Sequence, residues 1–363
     1  MIQSHQHILI CSTSIANYDR RMQRIALTLS QKGYSVAWIS RASDPLSLNG
    51  IRHSKMSLLF KSGFLFYAFF NLRLFFKLLF AKCDVIYSVD LDTVLPCYLV
   101  SKMRSKKIIF DAHEYFTEVP ELHQRDGVKK VWERIANICL PNIQNNITVG
   151  SELGEIFTER YQQKYHIVRN ITPSINVEIK QKPESKKMAY LGVVNKGRGV
   201  ELAIESLVQL TDKSLKIIGD GDLLNEMKDL AKNLSVDDRV EFVGYVLPSQ
   251  IQNEIQDCYL AVNMLLSVSK SYYYSLANKF FDYIHLGLPS INMEYPEYQS
   301  LNKSYKTGIL VKTYDLPSFI EAVQKLNDQS VYEECLVGIK AAKKSLNWES
   351  EQEILLKFMD TLK

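Results

Sequence analysis

A segment of this chain near residue 280 carries residue types suited to binding a phosphorylated ligand. Residues 275–291 predict a helix that begins with Ser275 as its N-cap and ends at Gly287, a residue type common just past helix ends. The free N–H groups and dipole of a helix N-terminus attract anions, and Lys279 lies within one turn of that end. The carboxylate of Asp282 could bind the hydroxyls of a ribose. The alternative interpretation is an ordinary amphipathic helix of an α/β domain.

Three turns that each follow a predicted strand are further candidates for nucleotide binding. In residues 192–199 the glycines let backbone amides approach phosphates, and Arg198 could bind two phosphate oxygens at once. Residues 218–222 predict a second glycine turn, which by itself marks only a tight bend. Residues 243–246 predict a third, where Tyr245 could stack on a base or simply pack.

The first half of the chain contributes one comparable place, residues 110–114. These residues follow a predicted strand and include His113 and Glu114. Both side chains then lie at the carboxyl end of the strand, the edge along which open parallel sheets bind ligands. A capped structural histidine is the alternative for His113.

Both halves of the chain alternate short β-rich runs with helical ones. Residues 7–11 and 35–39 predict strands, and the helical spacing of residues 20–32 between them ends at Gly33. Strands separated by helices of this length predict right-handed crossovers and parallel sheets. The pattern restarts after the polar stretch 181–187, which predicts two Rossmann-like domains facing a cleft. The remaining predicted strands are 84–88, 107–110, 146–149, 188–191, 215–218, 240–243, 260–263 and 290–293.

Length and composition agree with two soluble domains. The chain has 363 residues, of which 46% are hydrophobic and 23% charged, as in globular proteins. Six cysteines without paired or metal-binding spacing favour a reduced, cytoplasmic chain, and residues 1–7 do not resemble a signal peptide. The net charge of +4 divides into +8 for residues 1–173 and −4 for residues 174–363. A basic half suits a polyanion or an anionic membrane surface.

Residues 60–80 break the alternating pattern. They hold eight of the 16 phenylalanines, with Arg73 and Lys77 among them. The longest uncharged run, 62–72, has 11 residues, against about 20 needed to span a bilayer. We therefore predict a helix that lies in a membrane interface without crossing it. The alternative is a helix packed between the sheet and its neighbours.

Taken together and in this order, the motifs resemble the retaining nucleotide-sugar glycosyltransferases of the GT-B fold, specifically family 4 (glycosyl transferases group 1). The resemblance covers nearly the whole chain. Each motif is modest by itself, while their order and spacing are specific. They are residues 111–114, 148–152, 190–192, 198–201, 218–221, 242–245, 278–283, 287–289, 308–311 and 347–349.

The resemblance implies an α/β architecture of two Rossmann-like domains with parallel sheets facing a central cleft. Residues 1–175 would form the acceptor-binding domain and residues 176–346 the nucleotide-sugar-binding domain. Residues 347–363 would form a terminal helix that returns to the N-terminal domain.

The resemblance also implies roles for individual residues. The family's phosphate-binding lysine falls on Arg198, its ribose-binding glutamate on Asp282, and its histidine that touches the donor sugar on His113. Catalysis is assigned to His113, Arg198 and Lys279, and acceptor binding to the loop that contains Asn17, Tyr18 and Arg20. The donor-binding residues are Ser151, Gly192, Arg198, Asp220, Tyr245, Leu276, Ala277, Asn278, Lys279 and Asp282.

The implied function is retaining, metal-independent transfer of a sugar from a nucleotide diphosphate sugar, without any cofactor. The aromatic basic segment 60–80 suits a lipid-linked glycan acceptor in surface polysaccharide synthesis, at the inner face of the membrane. Two departures leave alternatives open. The family's first glutamate, which contacts the donor sugar, would fall on Tyr274, and its loop arginine near Val193 is missing. The chain could therefore be a catalytically silent GT-B protein that binds a partner or glycan, or a sugar-nucleotide epimerase.

Overall fold

The structure, a computed structural model, describes residues 6–41, 48–60, 62–175, 177, 179, 183–247 and 249–362. The first five residues of the segment considered for a signal peptide, and residues 181 and 182 of the predicted linker, lie outside these ranges. The chain divides into two compact units. The first comprises Met1–Asn170, Ser269–Ser271 and Glu351–Lys363, and the second comprises Ile171–Val268 and Tyr272–Ser350.

The first unit is built on a seven-stranded parallel sheet with the order β3-β2-β1-β4-β5-β6-β7. Its central strands are buried apolar runs, as expected where helices cover both faces of a sheet. The strands are β1 His7–Cys11, β2 Ser35–Arg41, β3 Ile51–Met56, β4 Val85–Val89, β5 Lys107–Ala112, β6 Asn145–Thr148 and β7 Tyr165–Ile167. The helices are α1 Arg20–Gln31, α2 Gly63–Phe80, α3 Leu91–Met103, α4 Asp126–Cys139 and α5 Ser151–Tyr161.

The second unit is built on a six-stranded parallel sheet with the order β10-β9-β8-β11-β12-β13. The strands are β8 Lys187–Leu191, β9 Ser214–Ile218, β10 Val240–Gly244, β11 Cys258–Asn263, β12 Ser290–Met293 and β13 Gly308–Val311. The helices are α6 Val200–Ser206, α7 Leu224–Asn233, α8 Ile251–Ile255, α9 Lys270–Tyr273, α10 Asn278–Leu286, α11 Pro296–Ser304, α12 Leu316–Lys325 and α13 Gln329–Ser345.

The two sheets confirm the predicted fold class of two parallel, Rossmann-like domains. In each sheet the strand order reverses once, between β1 and β4 in the first and between β8 and β11 in the second. Such a switch point is where open parallel sheets bind ligands beyond the carboxyl ends of their strands. Three strands escaped prediction. The edge strand β3 is apolar only at its two ends, β7 has only three residues, and β13 was noted only as part of a motif, residues 308–311.

The last helix, α14 Trp348–Asp360, crosses from the second unit into the first. Within the first unit, the buried carboxylate of Glu351 accepts hydrogen bonds from the backbone N of Arg169, at 2.7 Å, and from its Nη1, at 3.2 Å. The ring of Phe358 packs 5.0 Å from that of His166. The C-terminal helix therefore returns to the N-terminal domain, as the resemblance implied.

Candidate functional site

Two glycine turns lie beside the switch point of the second sheet, after β8 and β9. The backbone N of Gly192 donates to the carbonyl of Ile218, and that of Val194 donates to the carbonyl of Asp220. The turns approach so closely that a Cβ on Gly219, whose φ is +147°, would lie 1.9 Å from the carbonyl oxygen of Gly192. Only glycine fits there, so the second turn serves to shape the first.

The helix that was predicted to begin at Ser275 begins later. Its N-cap is Ala277, and the Ser275 hydroxyl donates instead to the carbonyl of Tyr272, at 2.8 Å. Ser275 as N-cap was therefore wrong, because residues 272–275 form a turn of their own. The C-terminal end was predicted correctly, since Gly287 adopts the left-handed conformation with φ of 79°.

The later start places Lys279 in the first turn of α10. Its Nζ is buried and has no hydrogen-bond partner among the described residues. It lies 4.0 Å from the ring centroid of Tyr190, the residue two before the glycine turn. Burial and the nearby Arg198 lower the pKa of Lys279 to about 7. A buried ammonium without an anion is costly, and it marks where an anionic ligand would be stabilised.

Arg198 completes the cationic side of this site from within the glycine turn. Its guanidinium stacks 5.2 Å from the ring centroid of Tyr272, and its Nη2 donates to the Tyr272 hydroxyl at 3.4 Å. The Gly199 that follows starts α6, and its backbone N donates to the hydroxyl of Tyr314 at 3.0 Å. Arg198 and Lys279, predicted as phosphate-binding cations, are thus brought together in one unit.

Buried tyrosines hold α10 on the sheet, and sequence reasoning missed them. Tyr283 accepts from the backbone N of Leu191 at 2.9 Å and donates to the carbonyl of Val262 at 3.2 Å. The hydroxyl of Tyr298 accepts from the backbone N of Ala277 at 3.0 Å. These contacts fix the first turn of α10 against the carboxyl ends of β8 and β11. A tyrosine in a buried apolar run is the one signal that could have suggested them.

The other predicted donor residues of this unit lie at its edges. Asp282 accepts from the Thr172 hydroxyl at 2.7 Å, so a protein group already engages one of its oxygens. Asp220 is exposed and accepts from the backbone N of Gly221 at 2.8 Å. Tyr245 follows β10 and is 70% exposed, so it does not pack in the core. Leu276 and Ala277 are half-buried and Asn278 is exposed.

In the first unit, His113 lies at the carboxyl end of β5 within a buried charge network. Its Nε2 is 3.3 Å from Asp111 Oδ2, and its Nδ1 is 3.6 Å from Asp90 Oδ2. Arg21 donates to Asp111 through Nη2 at 2.8 Å and through Nε at 3.3 Å. The Tyr87 hydroxyl donates to Asp111 at 2.8 Å. The predicted structural alternative is thus partly right, because protein groups surround this histidine on both sides.

The remaining predicted residues of the first unit lie in loops and helix starts. Ser151 begins α5. Asn17, Tyr18 and Arg20 lie in the loop after β1 and at the start of α1, and Tyr18 is 82% exposed. Asp19 caps α1 by accepting from the backbone N of Met22 at 3.0 Å. Their roles toward a donor or acceptor stay predictions.

Helix α2 has a narrow buried side and a broad exposed one. Only Phe66, Phe70, Leu74 and Leu78 of its 18 residues are buried. Exposed apolar residues fill the opposite side, with Phe64 68% and Phe80 86% exposed. One stripe therefore packs on its neighbours and the rest stays exposed, while the position in a membrane interface stays a prediction. Among the described residues, α2 is the only helix that is long and apolar enough to cross a membrane. Our prediction is instead that it lies in the interface without crossing.

Two cations predicted to face a membrane from α2 are engaged by the protein. Lys77 Nζ donates to the hydroxyl of Ser54 on β3, and Arg73 donates to the carbonyl of Ser57. Burial and Arg73 lower the pKa of Lys77. Lys77 and Arg73 therefore both donate to the segment 54–57 rather than only facing solvent.

Comparison with known proteins identifies the second unit. The family described as "Glycosyl transferases group 1" matches residues 173–345. No curated protein matches the sequence. The resemblance to GT-B glycosyltransferases of this group is therefore confirmed by the domain that carries Arg198 and Lys279.

Solved structures of similar fold cover nearly the whole chain. HepE of Anabaena in complex with UDP has a TM-score of 0.75 at 11% identity, over 98% of this chain and 100% of its own. The lipopolysaccharide outer core galactosyltransferase WaaB has a TM-score of 0.73 at 13% identity, over 98% of this chain and 99% of its own. Sucrose-phosphate synthase from Thermosynechococcus elongatus has a TM-score of 0.74 at 17% identity, over 98% of both chains. At such identities the likeness establishes the shared GT-B fold.

Proposed function

We propose that the protein is a retaining glycosyltransferase that moves a sugar from a nucleotide diphosphate sugar to a glycan acceptor. One observation carries the proposal: Lys279 presents a buried Nζ that no described protein group satisfies. It lies at the start of α10, beside Arg198 and the glycine turn. A diphosphate would supply the missing anion to both cations.

The same two cations suit the chemistry of the transfer. When the sugar leaves, negative charge grows on the diphosphate oxygen that held it. Fixed cations and helix N-terminal amides stabilise that charge without reorganising during the reaction. This arrangement performs the electrostatic task that a metal ion performs in other transferases, so we expect activity without an added metal. The proposal needs no protein nucleophile, because an oxygen of the leaving phosphate can take the acceptor proton.

A uridine donor is the first to test, because HepE was crystallised with UDP, with UDP-glucose and with UDP and glucose. Tyr245 is exposed after β10 and is available to stack on a base. Asp282 lies three residues after Lys279 and could bind the ribose alongside its hydrogen bond from Thr172.

The acceptor in this proposal is a lipid-linked glycan of a surface polysaccharide, met at the membrane's inner face. Its support is the open side of α2 together with α3 and α4. Helix α3 packs against both neighbours. Exposed apolar side chains on these two helices continue the open side, among exposed Lys102, Lys130 and Arg134. They are Leu99, Met103, Val128, Val131 and Ile138. Apolar area mixed with cations is typical of surfaces that bind anionic lipid.

Titration calorimetry with UDP, UMP and uridine tests the donor site. Lys279→Met should weaken UDP at least tenfold and leave uridine nearly unchanged, because only the phosphates meet the ammonium. Lys196→Met, an exposed lysine of the same glycine turn, is the matched control and should bind UDP like the wild type. Equal UDP affinity in wild type and Lys279→Met would contradict the donor site.

The two other functions predict different products. A catalytically silent binding protein would bind UDP but would leave UDP-sugars intact. A transferase that is given no acceptor would hydrolyse its donor slowly. An epimerase would convert one UDP-sugar into its epimer with the nucleotide still attached. Chromatography of the nucleotide products distinguishes the three.

Vesicle sedimentation tests the membrane surface. Wild-type protein should sediment with phosphatidylglycerol vesicles, and less so as 1 M salt shortens the Debye length to about 3 Å. Phe76→Glu with Phe80→Glu should release it, whereas Val337→Glu, an exposed apolar residue on α13, should not. Failure of the wild type to bind at low salt would remove the lipid from the proposal. Protein that stays in natural membranes after an alkaline carbonate wash would contradict a peripheral position.

A further inference from the structure

His113 has carboxylates on both sides of its ring. Its Nε2 lies 3.3 Å from Asp111 Oδ2 and its Nδ1 lies 3.6 Å from Asp90 Oδ2. A neutral imidazole has one N–H and one lone pair, so one of its nitrogens would point a lone pair at a carboxylate. An imidazolium donates from both nitrogens and removes that repulsion.

Asp111 is held as an anion by groups of the first unit. Burial alone would raise the pKa of Asp111, but Arg21 and His113 hold it well below its usual range. The Arg21 Nη2 donates at 2.8 Å and the Tyr87 hydroxyl also at 2.8 Å. The partner of Nε2 is therefore a carboxylate that stays charged.

Asp90 is held in place by an unusual backbone conformation. Its φ is 55°, in the left-handed region that non-glycine residues rarely adopt. The backbone N of Asp90 donates to the carbonyl of Asp111 at 2.9 Å. The Asp90 Oδ1 accepts from the backbone N of His113 at 2.8 Å, which leaves Oδ2 facing the ring. Strain of this kind persists where the surroundings fix a functional geometry.

We propose that His113 is a fixed imidazolium, paired on one side with Asp111 and positioned on the other by Asp90, and that it never serves as a base. Its role in sugar transfer rests on the proposed function, while its charge state does not. With Nε2 at 3.3 Å from Asp111 and Nδ1 within ion-pair distance of Asp90, at 3.6 Å, His113 contributes positive charge to the ligand side of the first sheet. As an imidazolium, His113 has no free lone pair with which to deprotonate an acceptor hydroxyl.

Asp111 is the carboxylate that stays charged, whereas burial raises the pKa of Asp90 to about 8, so Asp90 adds its full charge only above that pH. Burial would lower the pKa of His113, but Asp90 and Asp111 outweigh it and raise the pKa to about 9. The charged and titratable groups that interact with this ring from neighbouring elements are Arg21 on α1, Asp90 after β4, Asp92 on α3, Asp111 on β5, and Glu114 after β5. Arg21 is the only cation among them, and its charge is already paired with Asp111.

Long-range proton–nitrogen NMR on protein with ¹⁵N-labelled histidine tests the charge state directly. The His113 signals are assigned as those that are missing from the spectrum of His113→Gln. We expect both ring nitrogens of His113 to show protonated shifts at pH 7.5 and to titrate only above pH 8. A ring nitrogen with the shift of a free lone pair at pH 7.5 would overturn the proposal, whether or not the protein transfers sugar.

Asp90→Asn tests the positioning residue in the same experiment. Removing its charge should lower the titration midpoint of His113 by about one unit, a tenfold loss in proton affinity. Glu155→Gln, an exposed carboxylate on α5, is the matched control and should leave the midpoint unchanged. An unchanged midpoint in folded Asp90→Asn, checked by circular dichroism, would remove Asp90 from the proposal. If the protein transfers sugar, its rate should show no rise between pH 6.5 and 8 that depends on His113. A rise that follows deprotonation of a group near pH 7 and vanishes in His113→Gln would restore the base.

Discussion

The two units treat a buried cation in opposite ways. In the first unit, Arg21 and His113 are surrounded by Asp111 and Asp90, so protein groups balance the charges. In the second unit, Lys279 is buried beside another cation, Arg198, and faces an aromatic ring. A paired network stabilises a geometry once the chain has folded. An unpaired charge instead costs stability until a ligand arrives, which is the condition for tight anion binding.

The largest effect expected from this comparison is the loss of the pairing partner in the first unit. Arg21→Met removes the cation that binds the buried Asp111 carboxylate through two hydrogen bonds and leaves only His113 beside it. We expect the free energy of unfolding to fall by about 3–5 kcal/mol, the usual loss when one side of a buried ion pair is removed. Chemical denaturation measures it.

Arg20→Met is the control for that loss, since Arg20 is the exposed neighbour on the same helix. Its free energy of unfolding should change by less than about 0.5 kcal/mol. Equal destabilisation by the two substitutions would show that the charge network of the first unit contributes little.

In the second unit we expect removal of the cation to raise the stability of the protein rather than lower it. Lys279→Met should raise the melting temperature at pH 6–7 by a few degrees while it abolishes tight UDP binding, because the unligated protein no longer buries a lone ammonium. Burial lowers the pKa of Lys279 to about 7, whereas an unfolded lysine titrates at about 10.4.

The pH dependence of this effect has a definite sign. Between pH 7 and 10 the unfolded chain binds the proton that the folded chain has released, so the Lys279 contribution to stability rises with pH. The stability gap between Lys279→Met and wild type should therefore shrink from pH 7 to pH 10, as measured by thermal unfolding. A melting temperature of Lys279→Met below that of wild type at pH 6.5 would contradict a lone buried ammonium.

The smallest effect concerns the geometry of the phosphate site. Tyr298→Phe removes the hydroxyl that accepts from the backbone N of Ala277, and it should weaken UDP binding only a few-fold. One hydrogen bond of this kind contributes about 0.5–1.5 kcal/mol. Tyr332→Phe, which removes a buried hydroxyl bonded to the carbonyl of Tyr259, is the control and should bind UDP unchanged. Calorimetry that shows no difference between the two would mean that α10 does not need this contact.

The bounds of helices and strands were predicted most accurately where the local sequence pattern and the burial agree. Strands β1 and β12 have the predicted bounds, and each is a short, almost fully buried run. The start of α10 was predicted too early, at Ser275, because Ser275 is a favourable N-cap by residue type. In the structure the Ser275 hydroxyl instead closes a turn with Tyr272, a choice made by contacts outside the local sequence.

The candidate site likewise combines features set by the local sequence with features set by contacts between distant segments. Residue type and spacing were enough to predict that Arg198, Lys279 and Gly287 serve a phosphate-binding loop and helix, because those preferences arise within a few residues. The pairing of Lys279 with Tyr190 joins strands and helices far apart in the chain. Sequence reasoning assigned no role to Asp90, yet its carboxylate lies 3.6 Å from the ring of His113.

The sequence alone determined the alternation that forms two parallel sheets and the cationic residues that we propose bind a diphosphate. These properties depend on local backbone preference and on the chemistry of single side chains. The tertiary structure decided which charges are paired, which are buried without a partner, and which side of α2 stays open. Those outcomes depend on distance and burial, and only the packing of distant segments sets both.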